Sequence, residues 1–333
     1  MVRYTDIRAS NTLINDSTAP RIAVFVGGTA GIGQLTIKAL VATGASVRIY
    51  LIGRKSSNDR AHVFMKELQS TNPNAEVIWI EGEVSLLTDA KRVCEVIKSR
   101  EKHVDLLFLT TGYAPFGPRE ETAEGIEITL SLGYFSRMMF VLQLLPLLRQ
   151  AEAARVVSVL GGGLMERPTS IDLDDLALEK PGRFGPIKSQ MLSATMNTAT
   201  LDKLAADSPG VTFIHSYPGW VDTGNVRRGF EPNSWKAWVA WLFLEPLIYL
   251  FSFSDKESGQ RHLFLSTSAY YGGRGVPWMG KAGVNTSGKP MNGLFLANYR
   301  NDCTLNAGVL SVLREKSTEM IWKHTQEVLQ PYL

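Results

Sequence analysis

Gly27, Gly28, Gly31 and Gly33 fall within seven residues, Gly27-Gly28-Thr29-Ala30-Gly31-Ile32-Gly33, directly after an apolar β-branched run and directly before a helical pattern. Glycines at this spacing allow a tight strand-to-helix turn and a close approach of backbone to a pyrophosphate. The first turn of the helix adds unpaired N–H donors and the positive end of its dipole. The motif predicts a dinucleotide site, with Gly27, Thr29, Ala30, Gly31, Ile32 and Gly33 against the phosphates. A second signal stands at the end of the next strand-like run, Gly53-Arg54-Lys55-Ser56-Ser57. A carboxylate at that end would bond an unphosphorylated ribose, whereas the guanidinium of Arg54 suits a 2′-phosphate. NADPH is therefore the expected cofactor, ahead of NADH.

The elements that must position these groups can be read from hydrophobic periodicity. Short apolar runs at 21–27, 45–52, 75–80, 104–110, 154–160 and 211–217 alternate with helical patterns over roughly 31–43, 57–70, 86–101, 121–150 and 187–207. That alternation predicts an α/β fold, a Rossmann-type doubly wound parallel sheet of six strands with helices on both faces. Past Tyr217 it gives way to a Trp-rich segment, a helix near 255–268, a Gly/Pro/Asn-rich loop at 272–293, a short Leu-Phe-Leu-Ala-Asn-Tyr run and an amphipathic end near 305–329. The expected organisation is an N-terminal arm (1–20), a cofactor-binding core (21–223), and a substrate lid and C-terminal extension of the same domain (224–333). Four of the seven tryptophans, Trp220, Trp235, Trp238 and Trp241, fall in or beside the expected lid, where aromatic side chains could enclose an apolar small-molecule substrate. A homodimer interface or a peripheral membrane contact would account for the same residues.

Composition narrows the classes. The 333 residues are 44% hydrophobic and 20% charged, and 35 Lys and Arg against 32 Asp and Glu leave a formal charge of +3. No basic run is long enough to suggest nucleic acid as a partner. Cys94 and Cys303 lie far apart without His or Cys at ligand spacing, so neither a disulfide framework nor a metal site is expected. The opening residues hold no apolar core of secretory length, and the apolar stretch 237–251 is interrupted by Glu245 and Pro246. A cytoplasmic setting is expected.

The glycine spacing, with Val26 where a Thr usually precedes it, resembles the short-chain dehydrogenase/reductase family, as do several further landmarks over roughly residues 20–225. Glu83 stands where the family places an acidic residue beside the adenine. Thr110-Thr111-Gly112 occupies the place of the usual Asn-Asn-Ala-Gly. Tyr217-Pro218-Gly219-Trp220-Val221-Asp222-Thr223 resembles the family's Pro-Gly-x-Val-x-Thr turn, whose Thr meets the nicotinamide end. The resemblance thus implies cofactor contacts from Arg54, Glu83, Thr110, Gly112, Pro218, Gly219, Val221 and Thr223. It also implies a Tyr that protonates the substrate oxygen, a Lys four residues later, a Ser and an Asn. Phe184–Asn197 is similar to the retinol-dehydrogenase-like version of the active-site helix, and its register puts Gln190 at the Tyr position and Ala194 at the Lys position. By the same resemblance Gly161 stands for the Ser and Gly133 for the Asn.

None of these four side chains can move a proton. Tyr113, Tyr134, Lys188 and Tyr217 are nearby substitutes to consider, while His215, in a strand buried on both faces, is expected as a hydrogen-bonded core imidazole. Losing a general acid costs a factor of about 10² to 10⁴, which binding and orientation can offset. Three readings stay open. One is an NADPH-dependent reductase of a pre-activated acceptor such as an iminium carbon. Another is a non-redox cyclase or isomerase that keeps the cofactor cleft. The third is a non-catalytic NADPH-binding protein. Tyr217–Val221 and Glu257–Leu265 resemble fungal short-chain-dehydrogenase-like sequences of secondary metabolism.

Overall fold

The computed structural model describes residues 1–219, 221 and 252–333. The Trp-rich part of the expected lid, residues 224–251 with Trp235, Trp238 and Trp241, lies outside the described residues, as do Trp220 and Thr223.

Seven parallel strands form one sheet in the order β3-β2-β1-β4-β5-β6-β7. They are β1 (Ile22–Val26), β2 (Arg48–Gly53), β3 (Glu76–Glu81), β4 (Leu106–Leu109), β5 (Arg155–Val159), β6 (Thr212–Ser216) and β7 (Leu294–Ala297). The expected six strands are thus one too few, because the run read as an addition, Leu294–Ala297, pairs with β6 and is buried at all four positions. Its brevity hid it: four apolar residues after a glycine-rich loop carry no periodicity.

Alternation along the strands sorts side chains into two core layers. Val24, Val26, Tyr50, Ile52, Leu107 and Leu109 face one layer, and Ala23, Phe25, Ile49, Leu51, Leu106 and Phe108 face the other. The first layer is completed by α4 (Leu87–Arg100), α5 (Ile128–Leu148), α6 (Pro186–Ala206) and, near the chain end, α8 (Ala307–Val312) and α9 (Thr318–Leu329). The second is completed by α1 (Tyr4–Asn11), α2 (Gly31–Val41), α3 (Asn58–Thr71) and α7 (Asp255–Thr267). Helix α5 is apolar enough to cross a membrane by length and composition, but it is largely buried as a core helix here.

The structure adds detail to one sequence expectation and corrects another. The N-terminal arm is a docked helix, with Ile7 fully buried, Val2 N–H donating to Asp302 Oδ1 at 2.6 Å and Asn11 Nδ2 donating to the Gln260 carbonyl at 2.8 Å. The helical pattern assigned to 121–150 begins only at Ile128. Residues 122–126 form a turn around Gly125 (φ +76°), and the Glu127 carboxylate caps the helix by accepting from the N–H groups of Thr129 and Leu130. Helix α5 also contains a π turn, Ser131–Phe135, and π turns concentrate at functional sites.

The strand order runs outward in opposite directions from β1 and β4, so the crevice beyond their carboxyl ends is where such a sheet takes its ligand.

Candidate active site

The glycine turn connects β1 to α2 at that crevice. Gly27 (φ +95°) and Gly31 (φ +57°) adopt backbone angles that an L side chain resists, and a Cβ on Gly33 would sit 2.5 Å from the Gly27 carbonyl. Thr110, just past β4, ties the turn down by donating from Oγ1 to the Gly27 carbonyl at 3.1 Å. Helix α2 starts behind Ala30 without a side-chain cap and without an acidic residue in its first turn. Its leading N–H groups and dipole are thereby left for an anion, a cradle that fits the pyrophosphate of a dinucleotide.

At the carboxyl end of neighbouring β2, Arg54 is exposed, and no described residue holds it in a hydrogen bond or ion pair. Gly53 is constrained beside it, since a Cβ there would lie 2.9 Å from Thr29 Cγ2. The structure therefore brings Thr29 of the glycine turn and the base of Arg54 together. Glu83 follows β3 at the surface, where its carboxylate accepts from Ser85 Oγ at 2.8 Å. Gly112 (φ +138°) follows β4, and Gly219 (φ +73°) follows β6, where a Cβ would meet Tyr299 Cβ at 2.8 Å. Pro218 is half-buried, and Val221 packs against the second core layer.

This architecture has known counterparts. The profile of the family described as short chain dehydrogenase matches residues 21–167. An oxidoreductase of Emericella nidulans is 36% identical over 99% of this chain and 98% of its own length. The chain belongs to the short-chain dehydrogenase family. A short-chain dehydrogenase/reductase of Stachybotrys chartarum is 30% identical over 75% of this chain and 73% of that one. Among solved structures, an NADPH-bound short-chain oxidoreductase from Pseudomonas aeruginosa, which contains an atypical catalytic centre, shares the fold. Its TM-score is 0.51 at 22% identity, covering 76% of this chain and 90% of that chain. As a short-chain dehydrogenase, this chain falls among oxidoreductases.

Against that family, the four positions of interest lie around the ends of β4 and β5. A Cβ on Gly161 would be 3.1 Å from Ala194 Cβ and 2.9 Å from Met165 Cβ, so Gly161 and Ala194 press together. Gln190 donates from Nε2 to the Tyr113 carbonyl at 3.2 Å, linking α6 to the loop after β4. Gly133 lies in the π turn, where a Cβ would meet Ser193 Oγ at 3.1 Å, and its carbonyl accepts from Asn197 Nδ2 at 2.8 Å.

The substitutes separate sharply. Tyr134 is fully buried, its hydroxyl enclosed by those of Thr200 and Thr325, and burial pushes its pKa up to about 12. Lys188 is exposed and donates to the Gly182 carbonyl at 2.7 Å. Tyr113 and Tyr217 remain half-exposed at the carboxyl ends of β4 and β6, each with its pKa raised mainly by burial.

His215 is the core imidazole expected of it. Burial, reinforced by the Arg137 charge, pushes its pKa down to about 3, leaving it neutral. The Gly161 N–H donates to its Nε2 at 3.3 Å, so the ring proton sits on Nδ1 and points to Thr198 Oγ1 at 2.8 Å. Thr198 in turn donates to Glu166 Oε1 at 2.7 Å, which also accepts from the Gly163 N–H. Burial raises the Glu166 pKa. The network moors the 161–167 loop to β6 and α6.

Sequence reasoning missed this network, and it missed Arg137. Arg137 is the one charge in the apolar run Tyr134–Leu142, and such a charge signals a buried cation in need of acceptors.

Proposed function

We propose that this protein is an NADPH-dependent reductase of an apolar, pre-activated small molecule, an acceptor such as an iminium that takes a hydride without needing a proton from the enzyme. The observation that carries the reading is the crowding at Gly161, where a Cβ would lie 2.9 Å from Met165 Cβ and 3.1 Å from Ala194 Cβ, which disfavours a serine at the position the resemblance assigns to it.

The glycine turn and the uncapped start of α2 would bind the pyrophosphate, and Arg54 would bond the 2′-phosphate. Bound NADPH would supply the hydride. The chain's remaining task is to orient the acceptor and keep water away. Leu164 and Ile187, in or beside the loops that follow the strand ends, stay largely exposed as apolar surface suited to such a substrate. The resemblance of Tyr217–Val221 and Glu257–Leu265 to fungal short-chain-dehydrogenase-like sequences supports a substrate of the secondary-metabolite class.

Titrating NADPH and NADH by nicotinamide fluorescence into the wild type and Arg54→Ala tests the cofactor half of the reading. Tighter NADPH binding that Arg54→Ala abolishes supports it, and equal loss for both cofactors contradicts it. Product formation without NADPH oxidation would instead favour a non-redox cyclase or isomerase.

A further inference from the structure

Arg137 and Arg155 are the two arginines among the largest fully buried side chains. Among the described residues both cations bond only neutral oxygens, and they sit at opposite ends of β5. Arg155, at the amino end, donates to the carbonyls of Leu265, Ser268, Tyr271 and Arg274, all in or just after α7. Arg137 reaches the carboxyl end. Its Nη1 donates to Ser158 Oγ at 2.8 Å and to the Val159 carbonyl at 3.0 Å, and its Nη2 donates to the Thr111 carbonyl. Its Nε donates to the Leu132 carbonyl at 3.2 Å, inside the π turn.

One planar guanidinium therefore clasps the ends of the adjacent strands β4 and β5 and the distorted turn of α5. Ser158 extends the clasp by donating to Asn197 Oδ1 at 3.1 Å, and Asn197 Nδ2 closes it on the Gly133 carbonyl. Gly112 lies directly over it: a Cβ there would be 3.8 Å from Nη2. Burial alone pulls the Arg137 pKa down to about 9, so the group keeps its charge at neutral pH, and no carboxylate among the described residues pairs with it. A cation enclosed in this way is costly, and a simple strand clasp needs hydrogen bonds but no net charge.

We propose that Arg137 is the positioning residue of this active site. It fixes the Thr111–Gly112 and Ser158–Gly161 strand ends, where the reacting groups would meet, and holds a positive charge beneath them. The proposal rests on the reading that hydride transfer occurs over those strand ends. It gives Arg137 no direct contact with substrate. A displacement of reacting groups by about 1 Å costs on the order of 10²-fold in rate, so a residue that sets two strand ends at once has leverage on the chemistry.

The test compares Arg137→Lys and Arg137→Met with Arg155→Met. Lys keeps the charge but cannot fork to two strands, Met keeps only the volume, and Arg155→Met removes a clasp of the same kind far from the site. Each variant is measured for NADPH Kd, Tm and amide hydrogen exchange, and for single-turnover rate and KM with an apolar cyclic iminium as the acceptor.

The expected result is an NADPH Kd within about threefold of wild type in Arg155→Met and, in the Arg137 variants, a loss of affinity much smaller than the loss of rate, because the glycine turn and Arg54 are untouched while Gly112 is loosened. The Arg137 variants should lose about 10²-fold in single-turnover rate with little change in KM, Lys losing less than Met. Exchange should quicken at 111–113 and 160–163 ahead of the rest of the sheet. Arg155→Met should lower Tm while its folded fraction turns over at the wild-type rate. Unchanged turnover by folded Arg137→Lys and Arg137→Met overturns the proposal, as does exchange that rises uniformly over the sheet. If the wild type binds NADPH but never oxidises it, the reductase reading fails by itself. Hydrogen exchange, with no contribution from turnover, then decides whether Arg137 orders the two strand ends.

Discussion

At the scale of single residues, Arg54 and Gly161 make opposite statements. Arg54 is a charge with no described partner, placed where a 2′-phosphate would be. Charge-assisted hydrogen bonds of this kind contribute about 1.5–3 kcal/mol, so Arg54→Ala should weaken NADPH binding roughly 10- to 100-fold and leave NADH within about twofold. Fluorescence titration of both cofactors checks this. Gly161 is a vacancy that packing enforces. Putting a serine there drives its Cβ against Met165 and Ala194, and overpacking of this sort costs about 1–3 kcal/mol. Gly161→Ser should therefore melt several degrees lower and gain no activity on ordinary ketones. A stable Gly161→Ser enzyme that reduces simple ketones would show that the site is one residue from the usual chemistry.

Elements carry the next level, and here the 161–167 loop is the informative case. Its moorings are His215 on β6 and Thr198 on α6, joined through one hydroxyl to buried Glu166. Thr198→Val conserves shape but leaves the Nδ1–H of His215 and a carboxylate oxygen short of a partner, which costs about 1–3 kcal/mol. Amide exchange at 161–166 should accelerate in that variant while exchange in β1 and β2 stays unchanged; equal acceleration everywhere would mean that the network serves global stability alone. Elements also differ in how plainly the sequence displays them. The glycine turn, the first six strands and the crossovers were legible because apolar runs with β-branched residues alternate with three- and four-residue spacing. Strand β7 was not, since Leu294–Ala297 has no alternation to display. Helix α1 was not either, because its contacts to Gln260 and Asp302 come from the far end of the chain. The π turn and the Arg137 clasp depend on which carbonyls three separate elements present to one guanidinium. Only the lone arginine in an apolar run hinted at it.

The whole molecule is a sheet with two filled faces, and its interior sets a pH dependence. His262 in α7 is fully buried, and its pKa is pushed down to about 4 from the ordinary 6.5, mainly by burial. A depressed folded-state pKa means that the neutral form is favoured on folding. The stabilisation is full above pH 6.5 and is lost as the pH falls toward about 4, at about 1.4 kcal/mol per pH unit. His215 acts in the same sense, whereas Glu166, whose pKa burial raises, acts in the opposite one. A difference measurement removes these shared contributions. His262→Gln should lose less stability than the wild type on acidification through that window, by one proton's worth, in urea titrations at a series of pH values. Parallel curves would mean that His262 titrates normally in the fold.

Single-turnover oxidation of NADPH with a matched pair of acceptors, a ketone and the corresponding iminium, distinguishes a reductase without its own positioned acid from one that has it. The iminium should be reduced faster than the ketone by a factor of about 10² to 10⁴, beyond their difference in free solution. Equal rates for the two acceptors, with the ketone reaction governed by a single ionisation of the enzyme, would contradict it.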